Sequence, residues 1–243
     1  MNAYQIVRAA SGVHRISTLE IIDALCSEFI ESAGDRLMAE DRAMIGGVGL
    51  MDDQPITIIG TQKGYDTQEN IMRNFGSAGP SGYRKAQRLM KQAEKFNRPI
   101  LTLINTAGAF CSPESEENGI GEAIAKSLLT MSQLTVPTIA IILGEGGSGG
   151  AIALAVADRV WMMENSIYSI LSPEGFASIL WKDANLAPQA AEEMKLTAAE
   201  LQELSVIDHI VPESHQGQLL EKEEILDHLV TSIKHEFQLL IDQ

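Results

Sequence analysis

An apolar run followed by glycines stands out in the hydrophobic pattern of the chain. Residues 138–143, TIAIIL, follow Pro137 and are apolar apart from the threonine, which predicts a short buried strand. The next seven residues, GEGGSGG, contain five glycines, and AIALAVA after them is small and apolar on every side, which predicts a buried helix. This order of strand, glycine turn and helix predicts free N–H groups at the helix start, where an anion can bind.

A second unit of the same kind precedes the first. Residues 100–105, ILTLIN, predict a buried strand, TAGAF forms another glycine-containing turn, and a helix is expected over residues 117–134. Further strands are predicted at residues 160–163 and 166–171. Alternating strands and helices indicate an α/β fold with a largely parallel sheet, and both glycine turns then lie at the carboxyl ends of strands, where ligands bind.

The remaining elements follow from periodicity and capping residues. Ser17, with Glu20 three residues later, has the spacing of a capping box and predicts a helix through Ala33. The other predicted elements are a hairpin of residues 43–50 and 56–60, helices at 83–97, 176–181, 188–194 and 197–203, a strand at 207–211, and a C-terminal amphipathic helix at 219–241.

Composition limits the class of protein. The 243 residues, 45% of them hydrophobic, suffice for one domain spanning 1–243. We expect no membrane span, because there is no apolar run of 18 residues, and no signal peptide. Cys26 and Cys111 stand alone, so we expect a reducing, cytoplasmic location and no metal site. The net charge of −15 argues against nonspecific nucleic-acid binding.

Positive charge is concentrated in one stretch although the net charge of the chain is negative. Residues 63–98 contain eight of the 18 Lys and Arg residues. In the predicted helix 83–97, Arg84, Arg88, Lys91 and Lys95 recur on one side. Such a stripe is either a solvated face or a docking surface for phosphates or an acidic partner.

Two familiar motifs overlap in the glycine run. Residues 144–149 match GxGxxG and Glu164 follows twenty residues after Gly144, the pattern of a dinucleotide site, although no further series of βαβ units follows. Residues 146–150 also match GxSxG around Ser148, but no histidine is marked as its base, so a small residue in a tight turn is the simpler interpretation. The lysine of a P-loop is absent, since Gly150 and Ala151 stand in its place.

A site built from backbone groups explains abundant glycine without an acid–base set. One N–H from each glycine turn could meet at an enolate oxygen, and such donors are worth roughly 3–4 kcal/mol each in known oxyanion holes. The acidic residues after TAGAF are the only nearby candidates for a general base, and capping of the following helix is their simpler role.

Several runs of the sequence together resemble one family. They are GDR (34–36), GTQKG (60–64), RNFG (73–76), GYRKAQRLMKQAEKF (82–96), GEGGSGGA (144–151), SPEGFASILWKDA (172–184) and IDHIVPE (207–213). In this order they resemble the carboxyltransferase alpha subunits of bacterial acetyl-CoA carboxylase, members of the crotonase superfamily. The turn NTAGAFCS (105–112) differs from the family's usual DTPGAYPG.

The resemblance implies a fold and a reaction. The fold is a crotonase/ClpP-like spiral of ββα units. The reaction moves a carboxyl group from carboxybiotin, carried covalently by the biotin carboxyl carrier protein, to acetyl-CoA and so gives malonyl-CoA for fatty acid biosynthesis. The implied partners are a zinc-ribbon-bearing beta subunit, in a heterotetramer, the carrier protein, and a separate biotin carboxylase that uses ATP; neither nucleic acid nor a membrane is implied.

The resemblance also assigns roles to residues. The N–H groups of Gly149 and Gly150 form the oxyanion hole for the biotin enolate, and Gly108 and Ala109 form the companion turn. Gly146 and Gly147 lie on the biotin side. For the basic helix the implied role is docking of CoA phosphates or of the carrier, through Arg84, Lys85 and Arg88.

Two other functions stay open on the sequence. A stand-alone crotonase-type acyl-CoA hydratase or isomerase requires an acid–base pair within this chain, and a non-catalytic scaffold subunit requires no donor at Gly149.

Overall fold

The computed structural model describes residues 1–242 of the chain. Within that part, the strands are β1 (Glu28–Glu31), β2 (Met44–Met51), β3 (Gln54–Thr61), β4 (Ile100–Thr106), β5 (Thr138–Gly147), β6 (Arg159–Met163), β7 (Ile167–Ser169), β8 (His209–Val211), β9 (Ser214–His215) and β10 (Gln218–Leu219).

Helices fill most of the connections between these strands. They are α1 (Ala3–Ala10), α2 (Thr18–Leu25), α3 (Thr67–Met72), α4 (Pro80–Lys95), α5 (Pro113–Glu117), α6 (Ile120–Ser132), α7 (Ser148–Ala155), α8 (Pro173–Leu180), α9 (Ala187–Met194), α10 (Ala198–Glu203) and α11 (Lys222–Ile241). Among residues 1–242, no helix is both long enough and apolar enough to cross a bilayer.

One large sheet organises the chain. Its strand order is β1-β2-β3-β4-β5-β6-β8, and β7 pairs with the end of β5. The pairs β1–β2 and β2–β3 are antiparallel, whereas β3 through β8 pair in parallel, with helices in the crossovers. The separate strands β9 and β10 form a small hairpin before α11.

Alternation along the buried strands divides the core into two layers. Ala140 and Ile142 of β5 belong to one cluster, which packs under α4, α6, α7 and α10. Ile139, Ile141 and Leu143 point to the other face, where α2 and α11 cover the sheet. A strand buried on both faces explains why β5 is apolar throughout instead of alternating with polar residues.

The C-terminal helix shows how periodicity produces this packing. Ile225, Leu229, Ile233 and Phe237 recur at helical spacing and are all buried against the sheet. Each fully buried side chain of this kind contributes roughly 1.5–3 kcal/mol relative to exposure. The amphipathic helix predicted over 219–241 is therefore confirmed, with its start shifted to Lys222.

The long helix predicted over 17–33 is wrong in its second half. The capping box at Ser17 and Glu20 is present, but α2 ends at Leu25. Residues 28–31 instead pair with β2 as the edge strand β1, where Phe29 lies opposite Gly49. Strand pairing with a glycine-containing neighbour outweighs the helical periodicity here, a long-range effect that local patterns do not encode.

Smaller differences concern boundaries. The helix expected over 117–134 is divided into α5 and α6 because Gly119 adopts a left-handed conformation (φ 78°) between them. β5 continues through the first glycines as far as Gly147, since those residues pair with β7. Phe96, expected on the buried face of the helix 83–97, is 58% exposed just past the end of α4. Helices α1 and α3 were not expected from the sequence.

Candidate active site

Both glycine turns lie at one edge of the sheet. β4 and β5 run in parallel, with Ile100 opposite Thr138 and Thr106 opposite Gly146. Their carboxyl ends therefore meet, and the turn after β4 reaches the start of α7. The sequence-based placement of the two turns at neighbouring strand ends is confirmed.

The two turns are in direct contact. A Cβ built on Gly150 would lie 2.5 Å from the Ala109 nitrogen and 2.8 Å from the carbonyl carbon of Gly108. A Cβ on Gly147 would collide with the backbone of Ala107. Glycine is thus required where the backbones cross, and the structure brings together the four residues Gly149, Gly150, Gly108 and Ala109.

The start of α7 presents unpaired backbone donors. The N–H groups of the first helical turn have no intrahelical acceptor, and no side chain within residues 1–242 caps this helix. Gly149 and Gly150 lie in that first turn, one half-buried and the other buried. Their N–H groups can receive a negatively charged oxygen, and the helix dipole favours it.

The companion turn contributes Ala109 rather than Gly108. The Thr106 hydroxyl accepts a hydrogen bond from the Gly108 N–H at 3.1 Å and donates one to the Gly108 carbonyl at 2.8 Å. Gly108 itself has a φ of 153°, which favours glycine. The Ala109 N–H has no acceptor among residues 1–242 and is the free donor of this turn.

The departure from the family's usual turn sequence has a structural counterpart. The Asn105 side chain accepts a hydrogen bond from the Glu145 N–H at 3.1 Å and so ties the end of β4 to the glycine run. The Asn105 N–H in turn donates to the Thr61 hydroxyl of β3 at 2.7 Å. Together with the bonds of Thr106 to Gly108, these bonds hold the first residues of NTAGAFCS in place.

Tyr83 fixes the back of α7. Its buried hydroxyl donates to the Gly150 carbonyl at 3.2 Å. Burial, with a smaller contribution from the charge of Asp41, raises the pKa of this phenol, so it stays a neutral donor. A helix residue predicted to be in the core thus also anchors the turn that contains Gly149 and Gly150.

Gly146 and Gly147 line a small cavity on the other side of the turn. Its volume is about 190 Å³. The wall combines the end of α1 (Val7, Arg8 and Ser11) with Ala107, Glu145, Ile167, Ser169, Leu171 and the SPE residues 172–174. Its polar lining includes Ser11, Ser169 and Ser172 and the charged residues Arg8, Glu145 and Glu174. The contribution of α1 was not expected from the sequence.

The basic helix is used largely inside the chain. Lys85 is fully buried, and its ammonium group contacts Glu40 at 2.7 Å and the Met44 carbonyl at 2.8 Å. Arg88 donates to the Gly34 carbonyl at 2.8 Å, and burial lowers the pKa of its guanidinium. Arg84 donates to the Asn118 carbonyl.

Each of these three basic residues contacts a different part of the chain. They hold the GDR loop and the start of α6 against α4, and Lys85 has no surface for an external phosphate. Docking of CoA or of a carrier stays a prediction for Arg84 and Arg88, which are half-buried.

The geometry of the glycine run does not support a dinucleotide site. Gly144 through Gly147 belong to β5 rather than to a turn. The Glu164 carboxylate, expected to bind a ribose, accepts hydrogen bonds from the Glu213 N–H at 2.7 Å and the Ser214 hydroxyl at 2.8 Å. It therefore closes a loop of its own chain.

Ser148 sits on the sharp step from strand to helix. Its φ is 53°, an uncommon value for serine, and the residue is exposed. No hydrogen bond joins its hydroxyl to another residue in the described chain, so a base of the hydrolase type is missing. Nor does any group of three His, Cys, Asp or Glu residues within 1–242 suit a metal ion.

Comparison with known proteins decides between the remaining interpretations. The family model described as "Acetyl co-enzyme A carboxylase carboxyltransferase-like" matches residues 1–243. The chain belongs to this family. Acetyl-coenzyme A carboxylase carboxyl transferase subunits alpha from Streptococcus pneumoniae strains Hungary19A-6 and D39 are each 56% identical to it over 238 residues, covering 98% of this chain and 90% of each relative.

Solved structures agree at the level of the fold. Transcarboxylase 12S, solved with methylmalonyl-coenzyme A and methylmalonic acid bound, has a TM-score of 0.78 and 15% identity, over 100% of this chain and 45% of that one. The beta subunit of geranyl-CoA carboxylase from P. aeruginosa has a TM-score of 0.70 and 16% identity, over 94% and 42%. This chain thus spans less than half the length of these structural relatives.

These findings confirm the main sequence-based conclusions. The α/β fold is of the crotonase type found in carboxyltransferases. The chain is an alpha-type subunit of an acetyl-CoA carboxylase carboxyltransferase, an enzyme component that transfers a carboxyl group. The extent of a single domain over 1–243 and the roles of individual residues stay predictions.

The sequence did not reveal every residue at the site. Lys63 and Glu145 form an ion pair beside the glycine run, and Tyr83 anchors α7 from a distant helix. The one signal for Lys63 was its place in the GTQKG motif, which by itself gives no partner.

Proposed function

We propose that this chain provides one half of a shared active site, in which an oxyanion hole of backbone N–H groups supports carboxyl transfer from carboxybiotin to acetyl-CoA. The donors are those of Gly149 and Gly150, with Ala109 from the companion turn. The close approach of the two glycine turns supports this proposal, because the backbone of Gly150 lies directly against Gly108 and Ala109 of the companion turn.

The chemistry requires stabilisation of an oxygen rather than an acid–base pair. The N–H groups of Gly149, Gly150 and Ala109 would receive the ureido oxygen of biotin, and biotin would supply a ureido group that can release its carboxyl group. Preorganised N–H donors lower the energy of a developing negative charge by several kcal/mol in comparable sites. Overall, the carboxyl carbon would exchange its bond to the ureido nitrogen for a bond to the methyl carbon of acetyl-CoA, and the methyl proton would pass to the ureido group, so that the products are malonyl-CoA and biotin.

This arrangement divides the labour between subunits. A zinc-ribbon-bearing beta subunit is proposed to bind acetyl-CoA, in a heterotetramer with this chain. Biotin, covalently attached to the biotin carboxyl carrier protein, enters along the cavity beside Gly146 and Gly147. A separate biotin carboxylase hydrolyses the ATP. The complex acts in the cytoplasm and supplies malonyl-CoA for fatty acid biosynthesis.

The test is carboxyl transfer from malonyl-CoA to biocytin, the reverse of the proposed direction. It is run with this chain alone, with the beta subunit alone and with both. We expect activity only in the mixture, because the donors and the acyl-CoA site lie on different chains.

Two results would contradict the proposal. Transfer or acyl-CoA turnover by this chain alone would indicate a self-sufficient hydratase or isomerase of the crotonase type. A complex that forms by sedimentation but stays inactive would indicate a scaffold subunit.

A further inference from the structure

A carboxylate occupies a position of β5 where an apolar residue is expected. Ile139, Ile141 and Leu143 alternate along the strand and face the buried layer under α2 and α11. Glu145 lies two residues after Leu143, where the register between β4 and β5 shifts, and its side chain is only 19% exposed. Burying a charge costs free energy unless a partner compensates it, so the partners of this carboxylate matter.

Three segments converge on Glu145. The Lys63 ammonium, in the loop after β3, forms an ion pair with its carboxylate and is itself 22% exposed. The Ser11 hydroxyl, at the end of α1, donates to the same carboxylate at 3.0 Å. The backbone N–H of Glu145 donates to the Asn105 side chain at 3.1 Å.

The pair lies between two cavities at the carboxyl edge of the sheet. Glu145 lines the cavity of Gly146 and Gly147, whereas Lys63 lines a neighbouring cavity of about 200 Å³. Ser11 borders both. Because Glu145 precedes Gly147 by two residues, its contacts with Lys63 and Ser11 tie the backbone that leads into α7 to the loop after β3 and to the end of α1.

We propose that Lys63 and Glu145 are positioning residues that lock the glycine run, and with it the oxyanion donors, to the loop after β3 and to the end of α1. This inference rests on the proposed function for its kinetic consequence. Neither side chain belongs to the proposed set of donors, so the pair acts through the backbone of residues 145–150.

The kinetic signature follows from that role. Loosening the turn misplaces donors that matter in the transition state, while ground-state binding of acyl-CoA on the other subunit is unaffected. The expected pattern is a lower kcat at an unchanged KM for malonyl-CoA. Misplacement of this kind reduces rates by roughly 10- to 100-fold.

The experiment compares four variants in complex with the beta subunit, using malonyl-CoA and biocytin as substrates. Lys63→Met removes the cation, Glu145→Gln removes the charge while retaining shape, and Lys63→Arg restores the ion pair. Arg159→Met is the matched control, since it breaks the Arg159–Glu236 pair of similar exposure (35% and 20%) at the amino end of β6.

We expect Lys63→Met and Glu145→Gln to lower kcat at least about tenfold without raising KM. Lys63→Arg and Arg159→Met are expected to keep wild-type values. Equal kcat in Lys63→Met, Glu145→Gln and Arg159→Met would overturn the inference, as would a change confined to KM.

Amide hydrogen exchange of the isolated chain separates this inference from the proposed function. The Glu145 N–H donates to the Asn105 side chain and residues 145–147 lie in register with β7, so slow exchange in this segment is expected while the turn is locked. Faster exchange there in Lys63→Met and Glu145→Gln, but not in Arg159→Met, supports the lock even if the wild-type complex transfers no carboxyl group. Unchanged exchange in all variants would refute it.

Discussion

At the scale of single residues, the site depends on which backbone N–H groups stay unpaired. The Thr106 hydroxyl accepts a hydrogen bond from the Gly108 N–H. Among residues 1–242 the Ala109 N–H is therefore the unpaired donor of this turn. Gly149 and Gly150 differ in their surroundings although both begin α7. A Cβ on Gly149 would make ordinary contact with Ile124 at 3.5 Å, whereas one on Gly150 meets the backbone of the companion turn.

Gly150→Ala is therefore expected to push the two turns apart. Its Cβ would lie 2.5 Å from the Ala109 nitrogen and 2.8 Å from the Tyr83 hydroxyl oxygen. We expect a loss of about 1–3 kcal/mol in the free energy of unfolding, typical of overpacking, and a large drop in carboxyl transfer. Chemical denaturation and the exchange assay measure the two effects.

Gly149→Ala is the matched control for that substitution. It adds the same methyl group one residue earlier, where space is available. It should unfold at the same denaturant concentration as wild type or a higher one, because alanine favours the helix. If both variants behave alike, close approach of the turns does not explain the glycine at position 150.

The two cysteines should differ sharply in reactivity. Burial raises the pKa of the Cys26 thiol to about 11, while Cys111 is exposed beside the companion turn. Only the thiolate reacts with iodoacetamide, so at pH 8 we expect Cys111 to be labelled well before Cys26. The Cys26 sulfur lies so close to Gly49 that a Cβ there would be 2.4 Å away. Mass spectrometry of the labelled peptides follows both sites, and comparable rates would contradict this packing.

At the scale of elements, α4 links the surface charge of the chain to its core. Its apolar face packs on the sheet as the periodicity predicts. The contacts of the basic stripe could not be predicted in the same way, because spacing does not tell whether a cation is solvated or binds a carboxylate from another segment. Lys85 forms ion pairs with Glu40 and Glu31, which are more than forty residues earlier in the chain.

Lys85→Met is expected to destabilise the chain by about 1.5–3 kcal/mol, because it removes the buried ammonium group that bonds to the partly exposed carboxylate of Glu40. The Met44 carbonyl also loses its donor. Lys91→Met on the same helix is the control, since Lys91 is exposed and such changes usually stay within about 0.5 kcal/mol. Equal stability of the two variants, measured by urea denaturation, would contradict the structural role of Lys85.

The helix α2 and strand β1 show where local patterns fail. The capping box at Ser17 was readable because both members lie within four residues. The change from helix to strand after Leu25 depends on β2, about twenty residues later, and no local signal records it. The helix α1 is different, because Asn2 and Gln5 form a capping box at its start, a local signal that the prediction did not use. The end of α1 borders both cavities of the site.

At the scale of the whole molecule, the sequence was sufficient for the fold class and for the pairing of the two glycine turns. Parallel strands place consecutive carboxyl ends together, so Gly149 and Ala109 could be brought to one edge from topology alone. The sequence could not specify that Gly108 is already bonded, or that Glu145 is clamped by Lys63 and Ser11. Those facts depend on side chains from distant segments.

The composition of the site bears on the proposed need for a partner. The proposed donors are backbone groups at one edge of the sheet, and the charged side chains beside them, Lys63 and Glu145, bind each other. Under the proposed function this chain stabilises a charged oxygen, and a second subunit binds and orients the acyl-CoA.

The most direct measurement replaces the Ala109 amide by an ester, through incorporation of L-lactic acid at that position, and follows malonyl-CoA-to-biocytin transfer in the complex with the beta subunit. The ester removes one N–H and leaves the side chain unchanged. The same replacement at Gly217, with glycolic acid in an exposed hairpin turn, is the control.

We expect the Ala109 ester to lower kcat by roughly 100- to 1,000-fold, the usual cost of losing one oxyanion donor, while complex formation and the Gly217 control stay as in wild type. A rate for the Ala109 ester within about twofold of the control would contradict the account, because an N–H that stabilises the developing charge cannot be removed without slowing the reaction.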